Sequence, residues 1–385
     1  MLTMEAEITP FEKLLPEMWL EIFSKLPAKT LVQLRCVSKS WRSTIDNPNF
    51  ISMHIARFKN NSNKHFLISF EYCTMAFNEI ELRIRVRTMG KFRKREEIMY
   101  TLFPAGQYHL EYKGFVDGLI LFVRYYARSY DLFLFNPSIR KSMLLPQEPP
   151  CPRGRAEIVI GFDPVMKDYK VVMIIFPFRL PDDTTPCSLL VYELRTGVWR
   201  ANPSIEAPER WLLGQKVFTR GVMHWISFDR EADPLPKNNT HIVSFNFSSE
   251  TFSFTELPGD RSDVHDKITC PFLLGDSLAV LDVSRAYVCI WVMNKCGETG
   301  KESWSKWYHG SIGLDTFEVF LEHRYRVKKL TYVESLRRFL LQVNKKMKSF
   351  DLKSGKLKDL EPSSHCSYSI DPYVESLLLS KEPSL

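Results

Sequence analysis

Residues 11 to 56 place apolar side chains at helical spacing, whereas from about residue 64 onward short apolar runs alternate with turn clusters. In the first stretch Met18, Trp19, Ile22, Phe23 and Leu26 recur at three- and four-residue steps behind Pro16-Glu17, and Pro27 ends the run. Proline suits the first turn of a helix and an acid there suits the positive end of the helix dipole, so a helix is expected to open at Pro16. A second is expected near Thr30, with threonine as N-cap and Leu31, Leu34 and Val37 on one stripe. A third starts near Ser38, sets Trp41 and Ile45 four residues apart and breaks at Asn47-Pro48. Three short helices in about 40 residues bury too little surface to offset the entropy of ordering them. The unit is therefore expected to complete its core against a partner, with packing on the chain's own second region as the alternative.

That second region reads as all-β. Runs of five to eight residues rich in Val, Ile, Phe, Tyr and Trp are punctuated by Val116-Asp117-Gly118, Asn136-Pro137-Ser138, Pro181-Asp182-Asp183, Arg195-Thr196-Gly197 and Lys353-Ser354-Gly355. No helical stretch of comparable strength interrupts them, which argues against βαβ units. Stacking the strand pairs exposes an internal repeat: Phe133 to Pro146, Leu190 to Pro203, Val243 to Pro258 and Lys348 to Pro362, with Val288 to Trp307 as a divergent copy. Phe135, Tyr192, Phe245, Ile290 and Phe350 take equivalent positions, at spacings of about 45 to 60 residues, as in blades of four short strands. Residues 64 to 92 stand as a candidate sixth copy. The expected fold is a small all-α unit followed by a large all-β domain, β-propeller-like, although a β-sandwich with long hairpins would show the same runs.

With 44% apolar and 13% aromatic residues the chain can bury a real core. The opening MLTMEAEITP has neither the basic start nor the apolar stretch of a signal peptide, and no apolar run nears the roughly 18 residues of a membrane span. A soluble protein of the cytoplasm or nucleus is expected, with no membrane partner. The eight cysteines contain no C-x-x-C pair, so neither a disulfide framework nor a zinc module is expected. A formal charge of +7 suits an acidic partner or simple solubility.

The stretch from Leu14 to His54, LLPEMWLEIFSKLPAKTLVQLRCVSKSWRSTIDNPNFISMH, resembles the F-box motif in its two Leu-Pro openings and its Cys-Val-Ser-Lys-Ser-Trp segment. Most of the chain from residue 110 to residue 379 resembles the F-box-associated domain of the large plant family. The marks are Gly161-Phe162-Asp163-Pro164 with Asp168-Tyr169-Lys170-Val171-Val172, Val191-Tyr192 through Trp199-Arg200, Ile290-Trp291-Val292-Met293, Glu302-Ser303-Trp304 and Tyr373-Val374-Glu375-Ser376-Leu377. S-locus F-box proteins of pollen and F-box/kelch-repeat proteins share the layout. The resemblance implies an F-box over residues 1–56, a linker and first β unit over 57–110, and the associated domain over 111–380. It also implies a Skp-type adaptor, through it cullin and RING subunits, and an unknown protein substrate carried to ubiquitination by a non-catalytic receptor. On the matching positions the adaptor face would comprise Leu15, Pro16, Ile22, Leu26, Pro27, Leu31, Val37 and Trp41. A scaffold bound to the adaptor outside the ligase, or a propeller enzyme with a small ligand in its channel, are the rival readings.

Independent chemistry is scarce. No metalloprotease, nucleophile-elbow or EF-hand motif occurs, and Gly297-Glu298-Thr299-Gly300-Lys301 lacks the first glycine and final Ser or Thr of a phosphate loop. His265 between Asp263 and Asp266 reads as a solvated turn rather than a metal site. No metal or cofactor is expected. Trp199, Trp225, Trp291, Trp304 and Trp307 are expected between blades. Arg83, Arg85 and Arg87 alternate with Ile84 and Val86, giving one basic strand face: a solvated edge strand, or a contact for an acidic cargo. Nucleic acid is the weaker alternative, since no aromatic stacking platform accompanies the charge.

Overall fold

The computed structural model describes residues 15–60, 66–74, 80–88, 95–100, 109–126, 129–148, 154–177, 188–202, 211–228, 239–259, 268–295, 302–322, 327–334, 337–343, 346–359 and 370–380. Four helices come first: α1 (Pro16–Ser24), α2 (Ala28–Leu34), α3 (Lys39–Ile45) and α4 (Pro48–Asn60). The strands beyond them form six four-stranded antiparallel sheets among the described residues.

Five of these blades are consecutive in sequence. They comprise β4 (His109–Val116), β5 (Leu119–Tyr125), β6 (Tyr130–Asn136) and β7 (Lys141–Leu144); then β8 (Gly154–Asp163), β9 (Asp168–Pro177), β10 (Ser188–Glu193) and β11 (Val198–Asn202); then β12 (Trp211–Thr219), β13 (Val222–Phe228), β14 (Asn239–Asn246) and β15 (Thr251–Glu256). Next are β16 (Ile268–Leu274), β17 (Ser277–Val283), β18 (Tyr287–Lys295) and β19 (Glu302–Ser311), and last β20 (Val327–Val333), β21 (Arg338–Val343), β22 (Lys346–Asp351) and β23 (Lys356–Asp359). The blade that precedes them in the chain is built differently. Its outer strands β1 (Phe66–Thr74), β2 (Ile80–Thr88) and β3 (Arg95–Tyr100) are joined by β24 (Ile370–Tyr373), which pairs antiparallel with β1 from Phe66 opposite Tyr373 to Ser69 opposite Ile370. First strands pack on first strands around the axis, β4 on β8, β12 on β16, β16 on β20 and β20 on β24, so β24 takes the inner place and closes the ring.

The turns derive from their residues. Asp117-Gly118 and Arg220-Gly221 join first to second strands with all four residues at positive φ, the primed hairpin geometry that matches strand twist. Third-to-fourth-strand turns are capped by the last strand residue. Asn136, Asn246 and Asp351 accept backbone N–H bonds from Ser138 (2.9 Å), Ser248 (2.8 Å) and Lys353 (3.0 Å). The aligned Phe135, Tyr192, Phe245, Ile290 and Phe350 all lie in third strands and are all buried.

The core lies between blades, and this explains runs that are apolar at every position. On β9, Val171, Met173 and Ile175 face the preceding blade, while Val172 and Ile174 face the following one. Strand β17 divides Ala279, Leu281 and Val283 from Leu278 and Val280 in the same way. At the rim, Trp199 donates its indole N–H to the Pro146 carbonyl (2.8 Å) and Trp304 to that of Glu256 (2.9 Å), each reaching the preceding blade. Trp225 is buried, as expected of an inter-blade tryptophan, whereas Trp307 is about half exposed.

The Gly-Phe-Asp-Pro and Asp-Tyr-Lys-Val-Val segments form the junction of blades three and four, counting from β1. A Cβ on Gly161 would collide with the Phe247 ring of the next blade. The Lys170 ammonium, almost fully buried, bonds to Asp163 (2.7 Å), Glu250 (3.0 Å) and the Phe247 carbonyl (2.9 Å), and Arg200 also engages Glu250. Burial acts against ionisation in all three buried groups. The bonds outweigh it: the Asp163 and Glu250 carboxyls are held below their usual range and the Lys170 ammonium above its own. Tyr169 of the third blade donates to Asp117 of the preceding one (3.1 Å).

The outer strands of the first blade lie within residues 57–110, where a linker and a first β unit were expected. Three expectations change. Pro48 follows the end of α3 and opens a fourth helix where three were expected, because proline fits a first turn, and the boundary expected at residue 56 falls inside α4. A helix, α5 (Leu314–Glu322), interrupts the strands between blades five and six, burying Phe317 and Phe320 at three-residue spacing. Strand β2 is not an edge, since it pairs with β1 on one side and β3 on the other. Of the cysteines, Cys36, Cys270 and Cys289 are free thiols.

Replacing Lys170 by Met should destabilise the protein by about 3–5 kcal/mol, because two buried carboxylates lose their counter-charge. Adding Glu250→Gln to Lys170→Met should recover part of the loss in urea melts. A full-strength loss in the double variant would show that the junction does not depend on charge pairing.

Candidate functional site

The helical unit builds its core from Phe23, Ala28, Leu31, Ile45 and Phe50, with the Trp19 and Trp41 rings in tilted contact at its side (centroids 4.9 Å apart). Ser38 caps α3 by accepting the Trp41 N–H (3.1 Å), as its sequence predicts. Arg35 pairs with Asp46 (2.7 Å), tying the end of α2 to the end of α3. His54 on α4 is buried, its Nε2 2.9 Å from the Leu26 carbonyl, and burial pushes its imidazole below the ordinary value of 6.5 against the opposing pull of that bond.

One member of this core comes from the other end of the chain. Leu377, completely buried, packs among the helices, and Ile139 of the second blade's outer turn lies against the same cluster. The Glu375 carboxylate accepts the Ala28 N–H at the start of α2 (3.0 Å), and Lys59 on α4 pairs with Asp117 (2.5 Å). Residues 374–380 are in turn held on the propeller. Asn136 donates to the carbonyls of Ser376 (3.0 Å) and Leu378 (2.7 Å), and Ser376 occupies the space where Gly118 lacks a side chain.

This corrects the expectation that the helices finish their core on a partner: they finish it on the β domain. The expected start of α2 at Thr30 is corrected as well. The helix begins at Ala28 because a carboxylate distant in sequence supplies the cap. Leu31 is likewise removed from the outward face. It is fully buried in the helical core, its stripe having turned toward Leu377.

The remaining residues of the expected face divide between surface and interior. Leu15 (64% exposed), Ile22 (40%) and Val37 (62%) are open to solvent, with Pro27 also exposed. Leu26 and Trp41 are half-buried, and Pro16 opens α1. Met18, part of the helical apolar pattern but not of the expected face, stands between Leu15 and Ile22 on one stripe of α1, and Leu20 and Met53 are also exposed. In the first blade, backbone register sets Arg83 opposite Glu71 and Arg85 opposite Glu97. The side chains of Arg83, Arg85 and Arg87 lie outside the described residues, as do His265 and the Gly297 to Lys301 segment.

On the inner strands, Glu111 pairs with Lys113 (3.0 Å) and Glu157 with Lys216. Gln215 reaches past the fifth blade to bond both backbone groups of Leu330, donating to its carbonyl (2.8 Å) and accepting its N–H (2.5 Å). Among the described residues no group of three or more His, Cys, Asp and Glu side chains is placed to hold a metal ion.

Comparison with known proteins agrees with this architecture. The F-box domain family matches residues 11–53, and the F-box associated beta propeller domain family matches residues 63–378. F-box protein CPR1 of Arabidopsis thaliana is 26% identical over 388 residues, covering 93% of this chain and 87% of that protein. F-box/WD-40 repeat-containing protein 1 of the same plant is 24% identical over 315 residues, covering 78% of this chain and 68% of that protein. Among solved structures, that of YjhT aligns over 75% of this chain and 96% of its own, with 13% identity and a TM-score of 0.39.

Leu377→Ala should cost the helical unit about 2–5 kcal/mol, the range for a buried leucine. Hydrogen exchange should then rise across α1 to α4 while the inter-blade strands keep their protection. Equal protection in the variant and the parent would show that the helices hold themselves together. The lowered imidazole of His54 sets a pH dependence: its contribution is complete above the unfolded value of 6.5 and is lost as pH falls below it. Protection factors in α4, taken relative to the intrinsic exchange rate at each pH, should therefore fall between about pH 7 and pH 5, and His54→Gln should flatten that response.

Proposed function

Because this chain belongs to the F-box-associated β-propeller family and carries an F-box ahead of its propeller, we propose that it is the substrate-recognition subunit of an SCF-type cullin-RING ubiquitin ligase. The F-box binds a Skp-type adaptor, the propeller binds a protein target, and the adaptor links both to cullin and RING subunits that carry out transfer. The chain itself is a non-catalytic receptor acting in the cytoplasm or nucleus, and its target goes to the proteasome.

The observation that carries this reading is the apolar strip left over once the helical core is complete. With Leu377 filling the inner side, the fold has no further use for Leu15, Met18, Ile22 and Val37, which nonetheless stand exposed. An apolar patch rimmed by polar residues on a helical unit marks an association surface. Its position on helices clamped rigidly to the propeller suits a receptor that must hold cargo at a fixed distance from the transfer machinery.

Leu15→Ala, Ile22→Ala and Val37→Ala should each weaken adaptor binding by about 1–3 kcal/mol in calorimetric titrations without lowering the melting temperature. Leu31→Ala should act differently, loosening the helices themselves. Unaltered adaptor affinity in all three surface variants would remove this face from the reading. Co-purification of cullin with the adaptor complex separates a ligase subunit from a scaffold that binds the adaptor alone.

A further inference from the structure

We propose that the turn face of blades three and four is a docking surface for an acidic polypeptide segment bearing apolar side chains, and that it is the cargo contact of the receptor described above, on which reading it rests.

Three turns on two neighbouring blades build the surface. The turn between β8 and β9 lifts Val165 and Met166 clear of the protein, 75% and 52% exposed, and Lys167 stands exposed beside them. Pro164 of the same turn lies against Gly221, so the exposed Arg220 of the fourth blade is its immediate neighbour. Arg195 enters from the turn between β10 and β11, its backbone N–H bonded to Asp168 (3.1 Å) at the foot of the same hairpin.

In the platform beneath, the acids are paired internally. Asp163, Asp168 and Glu250 are buried, and each is engaged: Asp163 and Glu250 by Lys170, Asp168 by the N–H groups of Tyr169 and Arg195. Ser248, in the turn between β14 and β15 of the fourth blade, donates to Asp163 (2.6 Å), tying that blade to the turn between β8 and β9. The acids thus point inward while Lys167, Arg195 and Arg220 point to solvent around an apolar tip. Lys167 and Arg220 also hold left-handed backbone (φ 51° and 49°), where glycine or asparagine is the comfortable choice. A long cation at both positions is therefore not explained by the turn geometry.

A carboxylate-rich segment would meet the three exposed cations Lys167, Arg195 and Arg220, and its apolar side chains would cover Val165 and Met166. Nucleic acid would use the cations but leave that tip uncovered.

The test is fluorescence anisotropy with the full-length chain in complex with its adaptor. The probe is a labelled synthetic peptide of about 12 residues in which Glu and Asp alternate with Leu and Phe. Binding should weaken about tenfold or more from low to physiological salt. It should also weaken about tenfold or more in Lys167→Asn/Arg195→Gln/Arg220→Asn, whose asparagines suit the left-handed turns, and in Val165→Ser/Met166→Ser. Adaptor affinity should be the same in both variants, which keeps this surface separate from the F-box face. The proposal is overturned if the parent protein does not bind the peptide, if either variant binds it as the parent does, or if a single-stranded oligonucleotide of equal charge displaces it efficiently.

Discussion

Ring closure by a strand from the far end of the chain is the constraint to which the other features answer. Strands β1 to β3 form only three quarters of a blade, and until β24 pairs with β1 the inner place of that sheet is vacant. Directly after Tyr373, the same segment turns over the second blade, caps α2 with Glu375 and drives Leu377 into the helical core. One stretch of chain therefore closes the propeller and completes the F-box. A four-helix unit of this size cannot bury enough surface alone, and here the missing surface comes from the domain it must be held to.

Between the blades, stability and specificity divide along the radius. Apolar side chains fill the interior from both faces of each middle strand, as on β9 and β17. Nearer the turns, polar groups fix which blade meets which: Lys170 binds three acceptors at the third and fourth blades, and the indoles of Trp199 and Trp304 each find a carbonyl on the preceding blade. A ring of similar wedges could slip in register if only greasy faces met. The buried ion pairs oppose such slippage, because a misplaced Lys170 would strand a charge without partners.

The sequence carried the repeat faithfully, since blade period, turn chemistry and large apolar residues of the third strands are local signals: Phe135, Tyr192, Phe245, Ile290 and Phe350 fall where their spacing put them. Features that depend on distant residues were not visible. Leu31 reads as one more position on an apolar stripe, and only the arrival of Leu377 assigns it to the interior. The start of α2 depends on a carboxylate at residue 375, which no window around Thr30 contains. Pro48 was ambiguous between breaking one helix and opening another, and nine-residue α5 is too short for its period to stand out among strands. For the expected adaptor face, the family resemblance picked out the exposed Leu15, Ile22 and Val37, whereas Met18, which the helical pattern did contain, was not assigned to it.

The placement of Leu377 has a consequence for how the protein is made. At ribosomal rates of about 5–20 residues per second, the F-box helices emerge roughly 15 to 65 seconds before the residue that completes their core. Throughout that interval the nascent chain displays both an unfinished helical unit and an open propeller edge, the surfaces that chaperones recognise. A message cut short anywhere before codon 370 would yield a product defective in both halves at once. The late arrival of this segment makes full-length synthesis a condition of assembly.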